Sequence, residues 1–234
     1  MNGILWEAEG VKREERQMKA WVLHGIDDMK LEMPDEPVPG TGEVLIEVKA
    51  AGICGSDIQR VYKTGAHTHP IIIGHEFSGI AAGLGAGVDK EWQGKHAGIY
   101  PLIPCGKCIP CQRKEYEMCR NYSYLGSRRD GGFAEYAVVP VQNLIEIPPQ
   151  VSFEEAAMLE PMAVAVHAMR RAGASDSDTI AVCGLGTIGL LLLMFLLEAK
   201  KFGKNTAGKY SGKILVIGNK ESQKRMAVRM TGIM

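Results

Sequence analysis

Four cysteines within one short stretch constrain this chain more than any of its other features. The spacing C-x2-C-x2-C-x7-C is formed by Cys105, Cys108, Cys111 and Cys119. Four thiolates this close together bind one zinc ion tetrahedrally and leave no coordination position open, which is typical of a structural site. We therefore expect the loop from residue 105 to residue 119 to fold around a structural zinc ion.

The main alternative for these cysteines is an iron–sulfur cluster. The bacterial cluster sequence has a tighter last spacing followed by proline, whereas Arg120 follows Cys119. Disulfides are disfavoured because a cytoplasmic location is expected: residues 1–17 lack the apolar core of a secretory signal. The longest apolar run, Ile188 to Leu197, is shorter than the roughly 20 residues that span a bilayer, so no membrane association is expected.

The residue pattern predicts an α/β protein whose first domain is rich in β-strands. Residues 1–17 are expected to be a leader outside the fold. The first domain is expected over residues 18–151, where strand-like segments alternate with glycine turns. Residues 43–50 alternate at period two and predict a strand, and residues 133–139 and 143–147 predict two more.

Residues 152–234 are expected to contain a helical linker and the first part of a dinucleotide-binding domain. A helix is predicted over 153–171, with an interruption at Pro161. Short buried strands are predicted over 179–183 and 214–217, with an apolar helix between them.

A glycine-rich turn follows the first of these buried strands. It has the pattern G-x-G-x-x-G and leads directly into the helix. This context supports a dinucleotide site, since the backbone amides at the start of such a helix bind a pyrophosphate. The expected cofactor contacts are Gly184, Gly186, Thr187, Ile188 and Gly189.

A second group of candidate metal ligands consists of Cys54, His75 and Glu76, with Glu160 far downstream. A catalytic zinc takes three ligands of these types and keeps one position open. A lone buried cysteine or histidine is more often a packing residue. Here glycines flank both Cys54 and His75 and let the backbone approach closely. Glu76 either binds the metal or orients a ligand, so a catalytic metal site is expected.

Nucleic-acid binding is not expected. The net charge of the chain is zero. The few basic residues near the cysteine loop do not form a recognition-helix pattern, which argues against a DNA-binding zinc module.

Taken together and in this order, these motifs resemble the zinc-dependent medium-chain alcohol and polyol dehydrogenases, in the sorbitol dehydrogenase branch. The resemblance runs from about Met18 to the end of the chain. It depends on residues 52–57 and 74–76, the cysteine loop, Glu160 with the following proline, and the glycine turn. Within that branch, residues 63–67 and 126–136 resemble the galactitol-1-phosphate dehydrogenases.

The resemblance implies a GroES-like catalytic domain followed by a Rossmann domain. It implies hydride transfer between NAD or NADP and a polyol or polyol phosphate such as galactitol 1-phosphate. The catalytic zinc would be bound by Cys54, His75 and Glu160, with Glu76 exchanging with a ligand or supporting one. Ser56 would accept the proton of the substrate alcohol. The full-length enzyme would be a homo-oligomer.

Three features depart from the pattern of this family. Some relatives have a histidine five residues after the ligand cysteine, as the next member of the proton relay, but that position is Gln59 here, so the exit route of the proton stays open. The position after the second strand, where an acidic residue binds the ribose hydroxyls, is Asn219, so the choice between NAD and NADP stays open. The chain ends soon after that strand, so the Rossmann domain is expected to be incomplete. The alternative function is therefore a truncated, non-catalytic zinc-binding fragment of such an enzyme.

A phosphorylated substrate needs a cation near the site. Arg128 and Arg129 are the candidates, because the planar guanidinium binds two phosphate oxygens at once. They lie in a glycine-flanked loop after the four cysteines. The alternative is that both are surface arginines paired with Asp130 or Glu135.

Overall fold

The computed structural model describes residues 16–173, 179–202 and 214–217. The chain divides into two compact units, Met1–Glu160 and Pro161–Met234. The strands in the described part of the first unit are β1 Ala20–Gly25, β2 Asp28–Glu32, β3 Glu43–Gly52, β4 Ile71–Ile72, β5 Glu76–Leu84, β6 His96–Ile99, β7 Leu102–Ile103, β8 Ser123–Tyr124, β9 Tyr136–Pro140 and β10 Leu144–Glu146.

The core of the first unit is an antiparallel five-stranded sheet with strand order β10-β6-β5-β3-β9. In β3, Val44, Leu45 and Ile46 are buried in succession, so this part of the strand is covered on both faces. Phe77 of β5 and Val139 of β9 belong to the same buried cluster as Val44. Two smaller sheets, β2-β1-β4 and β7-β8, complete the unit.

A helix at the end of the first unit extends it beyond the expected domain limit at residue 151. In its capping box, Ser152 and Glu155 exchange hydrogen bonds, which satisfies backbone donors of the first turn. The helix packs against β3, β5 and β6, and Ser78 Oγ donates a hydrogen bond of 2.5 Å to the carbonyl of Phe153. This packing places the segment with the first unit. The α-helices of this unit are α1 Gly55–Gln59, α2 Ile109–Gln112 and α3 Phe153–Ala157.

The helix predicted over 153–171 is interrupted at Met158 and not at Pro161. After α3 ends, a new helix, α4, runs over Leu159–Ala172. Pro161 is therefore in the first turn of α4. Backbone N–H groups in a first turn have no partner inside the helix, so the missing N–H of proline costs no helical hydrogen bond there.

The described part of the second unit continues with β11 Ile180–Cys183, α5 Thr187–Phe202 and β12 Ile214–Ile217. The two strands pair in parallel, with Ile180 opposite Ile214. Parallel neighbours need a crossover connection such as a helix, so the predicted order of strand, glycine turn, helix and strand is confirmed. Over the described residues, no helix combines the length and the apolar character needed to cross a membrane.

The N-terminal segment joins the fold before Met18. The N–H of Glu36 donates to the carbonyl of Arg16 at 2.7 Å, and Gln17 forms a β-bridge with Asp35. Residues 1–15 of the expected leader lie outside the described residues.

Three glycines of the first unit pack backbone against backbone. A Cβ atom on Gly131 would lie 2.1 Å from the carbonyl oxygen of Gly74, and one on Gly126 would lie 2.4 Å from it. Gly74 and Gly126 also have positive φ angles of 94° and 75°, which residues with side chains rarely adopt. The loop that contains residues 126–132 is therefore held directly against the residue that precedes His75.

We predict that Gly131→Ala destabilises the protein by about 1–3 kcal/mol, because the added methyl group overpacks this contact. The φ angle of Gly131 is not in the positive region, so the effect is steric. Gly25→Ala is the matched control, since nothing lies within 4 Å of its added Cβ. Urea unfolding of the two variants measures the difference, and equal stabilities would contradict the proposed contact.

Candidate functional site

The pairing of β3 with β5 brings three predicted metal ligands together. Gly52, the last residue of β3, lies opposite Glu76, the first residue of β5. Cys54 follows the end of β3 and His75 precedes β5, so both lie at the same edge of the sheet. One ligand atom from each of Cys54, His75 and Glu76 lies within 4.8 Å of the others, which is a geometry that can hold a metal ion.

Gly52 is required by this close approach. A Cβ atom at this position would lie 2.5 Å from Oε2 of Glu76. A side chain there would push the carboxylate away from Cys54 and His75. Any residue larger than glycine therefore conflicts with the ligand group.

A carboxylate that the sequence analysis did not single out lies behind His75. Asp57, which is 1% exposed, has its Oδ1 atom 3.5 Å from Nδ1 of His75. That separation is too long for a hydrogen bond, and the buried Nδ1 atom has no hydrogen-bonding partner among the described residues. Asp57 is itself fixed by Arg60, at 2.8 Å, and by the N–H of Cys54, at 3.0 Å. A carboxylate beside the second ring nitrogen is the usual partner of a metal-binding histidine.

Negative charge surrounds the imidazole of His75, from the carboxylates of Asp57, Glu76 and Glu160. Burial would lower the pKa of His75, but Asp57, Glu160 and Glu76 raise it overall. Burial raises the pKa of Glu76, and the charges of Glu160 and Asp57 add to this rise. Mutual repulsion among carboxylates of this kind is relieved by a bound cation. The donor set therefore fits a divalent metal ion.

Glu160 lies near this group but not within it. Its Oε1 atom accepts a hydrogen bond of 3.1 Å from the hydroxyl of Tyr124. The ring of Tyr124 meets the ring of His75 edge-on, with centroids 5.8 Å apart. Burial and the charge of Glu160 raise the pKa of Tyr124 far above its ordinary value, so the phenol stays protonated and donates. The structure thus groups Glu76, and not Glu160, with Cys54 and His75.

The four cysteines of the loop converge as predicted. Cys108 Sγ lies 3.4 Å from Cys111 Sγ and 3.8 Å from Cys119 Sγ, and Cys105 Sγ lies 4.0 Å from Cys111 Sγ. Sulfur atoms at about 2.3 Å from one zinc ion in a regular tetrahedron are about 3.8 Å apart. The four side chains therefore fit a tetrahedral zinc ion.

Backbone amides of the loop favour thiolates at two of these cysteines. Amides of Arg120 and Cys111 lower the pKa of Cys108 to about 6. Amides of Lys107 and Cys108 lower the pKa of Cys105, whereas burial raises the pKa of Cys111. The thiolate is the form that binds metal. The backbone amides therefore favour the metal-binding form of Cys105 and Cys108 without a bound metal.

The glycine turn of the second unit has the tight geometry that its sequence predicts. Gly184 has a positive φ angle of 93°. A Cβ atom on Gly189 would lie 1.9 Å from the carbonyl oxygen of Gly184. Thr187 and Ile188 begin α5, whose free backbone N–H groups face a ligand placed beyond the turn. Asn219 lies outside the described residues.

The two arginines expected to bind phosphate have different surroundings. Nη2 of Arg129 donates to Oε1 of Glu43 at 2.6 Å. Burial would raise the pKa of Glu43, but the hydrogen bonds from Arg129 and Gly40 lower it. Glu43 is the first residue of β3, so Arg129 is held toward the end of the strand that lies away from Cys54. Its partner is neither Asp130 nor Glu135, which were the expected alternatives.

Arg128 is exposed and is linked to the metal-ligand group by aromatic contacts. Its guanidinium carbon lies 4.7 Å from the ring centroid of Tyr122. That ring is 6.5 Å from the ring of Tyr124, which in turn contacts His75. Of the two arginines, Arg128 is therefore the better placed to contact the phosphate of a ligand near the metal-ligand group.

Asp57 and Tyr124 are site residues that the sequence analysis missed. A signal for Asp57 exists, because an acidic residue three positions after Cys54 matches a helix capping box, and the structure forms that box. Tyr124 carries no comparable local signal, since its contacts are with residues far away in the sequence. Ser56, the expected proton acceptor, is exposed on α1 beside Cys54.

Comparison with known proteins identifies both the first domain and relatives of the chain. Residues 40–149 match the family described as the alcohol dehydrogenase GroES-like domain. Galactitol 1-phosphate 5-dehydrogenase of Escherichia coli K12 is 42% identical over 151 residues. The match covers 64% of this chain and 44% of that relative, so the chain spans less than half the length of the relative.

Two solved structures share the fold. Galactitol-1-phosphate dehydrogenase from Escherichia coli aligns with a TM-score of 0.82 and 33% identity, over 92% of this chain and 59% of that chain. An alcohol dehydrogenase from Escherichia coli CFT073, complexed with NADH, aligns with a TM-score of 0.75 and 30% identity, over 93% of this chain and 67% of that chain. The expected GroES-like domain followed by a Rossmann-type unit is confirmed.

We predict that Cys108→Ser lowers the metal content from about two zinc ions per chain to about one, because two ligand groups are present and a structural site loses its metal with a ligand. The unfolding midpoint falls as well, since the free energy of metal binding stabilises the fold. Cys183→Ser is the matched control, because Cys183 is an exposed thiol of β11 outside both groups. Iron with visible absorption in the purified protein would contradict the assignment.

Proposed function

Since this chain belongs to the alcohol dehydrogenase family with a GroES-like domain, we propose that it is a zinc-dependent polyol dehydrogenase. The reaction is hydride transfer between NAD or NADP and a polyol or polyol phosphate. The observation that carries the proposal is the convergence of Cys54, His75 and Glu76 within 4.8 Å. This donor set leaves room for an open position on a metal ion, which a purely structural site lacks.

Zinc is the metal that the donors favour at both groups. Cys54, His75 and Glu76 would hold the catalytic ion, with Glu160, whose charge acts on His75 and Glu76, beside them. The four cysteines hold a structural ion. When bound, the catalytic zinc supplies Lewis-acid polarisation of the substrate oxygen.

The residues around that ion accept the substrate proton, orient the histidine ligand and balance the charge of the metal. Ser56, exposed beside Cys54, accepts the proton of the substrate alcohol as the first member of a relay. Asp57 keeps the imidazole of His75 oriented through its charge. Glu76 supplies a carboxylate whose negative charge balances the metal.

The nicotinamide cofactor binds through the glycine turn. Gly184, Gly186 and Gly189, with Thr187 and Ile188, place backbone N–H groups against the pyrophosphate. Asn219 occupies the position that contacts the ribose hydroxyls in this family. The choice between NAD and NADP is set at that position.

The proposed partner is a small-molecule polyol, with galactitol 1-phosphate as the leading candidate. The galactitol 1-phosphate 5-dehydrogenase of Escherichia coli K12 is 42% identical to this chain over 151 residues. A cytoplasmic location and assembly into a homo-oligomer are parts of the same proposal.

The proposal predicts that the purified chain reduces NAD or NADP in the presence of galactitol 1-phosphate or sorbitol, and that Cys54→Ser abolishes this turnover. The serine oxygen is a poorer zinc ligand than a thiolate, so the metal and the substrate oxygen lose their position. Cys183→Ser, at an exposed thiol outside the ligand group, retains the activity. A chain that binds zinc but turns over neither polyol with either cofactor would favour the non-catalytic zinc-binding alternative.

The aromatic contacts of Arg128 generate a prediction about substrate choice. Arg128→Ala is expected to raise KM for galactitol 1-phosphate by about tenfold or more, since a charge-assisted hydrogen bond to phosphate contributes roughly 1.5–3 kcal/mol. KM for unphosphorylated sorbitol stays nearly unchanged. Steady-state kinetics on the two substrates measures the difference.

Arg129→Ala is the control for that measurement. Because Arg129 pairs with Glu43, its loss is expected to lower stability and to affect both substrates equally. Equal losses on both substrates for Arg128→Ala would remove the phosphate role and leave an unspecified polyol as the substrate.

A further inference from the structure

Two carboxylates compete for one metal-ligand group. Glu76 lies within the group formed with Cys54 and His75. Glu160 lies outside it, although its charge acts on both His75 and Glu76. Oε1 of Glu160 accepts a hydrogen bond of 3.1 Å from the hydroxyl of Tyr124.

We propose that Tyr124 is a positioning residue that keeps the carboxylate of Glu160 from joining the metal-ligand group as a fourth ligand. Its hydroxyl holds Glu160 back, so that Cys54, His75 and Glu76 bind the metal and the fourth position stays open. This inference rests on the proposed zinc site. It assigns a role to a residue that lies outside the ligand group.

The fold fixes where the hydroxyl of Tyr124 lies. Tyr124 is in β8, paired with Leu102 of β7, and the next residue, Leu125, is fully buried. Its ring is bounded by His75 at 5.8 Å and by Tyr122 at 6.5 Å between centroids. A ring held on two sides presents its hydroxyl at one place, and Glu160 is the acceptor at that place.

The chemistry of the pair makes this hydrogen bond selective. The hydroxyl of Tyr124 donates and Oε1 of Glu160 accepts, at 3.1 Å. A hydrogen bond to a carboxylate is stronger than one between neutral groups. Without the hydrogen bond from Tyr124, Glu160 would offer a negatively charged oxygen to the metal. Together with Cys54, His75 and Glu76 it would make four protein ligands, which close a zinc site and leave no position for substrate.

The test compares Tyr124→Phe with the unchanged chain, loaded with Zn²⁺ for affinity and with Co²⁺ for spectroscopy. Competition with a coloured chelator measures zinc affinity. Cys54→Ser is expected to bind zinc at the four-cysteine site alone, so its signal is subtracted to leave the signal of the Cys54, His75 and Glu76 site. Tyr124→Phe is expected to bind zinc more tightly, by about 10–100-fold, which is the range over which partners of ligands change metal affinity. Azide, which shifts the cobalt spectrum of the unchanged chain by entering the open position, is expected to have no effect on the variant.

Two further variants show whether the effect passes through Glu160. Glu160→Gln keeps an oxygen acceptor but loses the charge, so Tyr124→Phe combined with Glu160→Gln is expected to restore the weaker affinity and the azide response. Tyr116→Phe removes the hydroxyl of an exposed tyrosine in the four-cysteine loop and is expected to change neither the zinc affinity nor the azide response.

The possible outcomes separate this inference from the proposed function. An unchanged affinity and a retained azide response in Tyr124→Phe would overturn the positioning role. Tighter binding that persists in the combined variant would overturn it too, because the effect would not need the charge of Glu160. If the unchanged chain gives the same metal signal as Cys54→Ser, the catalytic zinc site itself is absent and the proposed function fails first.

Discussion

The antiparallel pairing of β3 with β5 is the constraint on which the site depends. Twenty residues lie between Cys54 and His75 in the sequence. The pairing of Gly52 with Glu76 brings their side chains to one edge of the sheet. Glycine at position 52 leaves room for the carboxylate of Glu76 beside Cys54 and His75, because a Cβ atom there would lie 2.5 Å from its Oε2 atom and displace it. The ligand group is thus a product of strand register, and a register shift of one residue would disperse it.

Electrostatics then explains why such a group persists in the fold. Three carboxylates, those of Asp57, Glu76 and Glu160, act on the imidazole of His75. Within the part of the chain that the structure describes, Arg60 is the one cation paired with any of them, and it pairs with Asp57. Carboxylates crowded in this way oppose folding unless a cation is present. A metal ion bound at this group would therefore stabilise the protein by relieving the repulsion among the carboxylates.

The four-cysteine loop and the second ligand group are joined by short structural links. The loop leaves β7 and returns through β8, and these strands pair at its base. Tyr124 is the last residue of β8 and contacts both His75 and Glu160. The strand that closes the cysteine loop therefore also carries a residue that contacts the Cys54, His75 and Glu76 group.

The sequence by itself determined the donor types, the four-cysteine spacing, the strand of residues 43–50 and the order of elements around the glycine turn, because these are local patterns with a fixed period or spacing. It did not reveal β5, since Gly79 and Gly83 weaken a strand pattern and are explained only by contact: a Cβ atom on Gly79 would lie 2.1 Å from the carbonyl oxygen of Glu47. Only the tertiary structure decided that Glu76 and not Glu160 joins the ligand group, and that Arg129 pairs with Glu43. Both outcomes depend on distances between residues far apart in the chain, which no local pattern encodes.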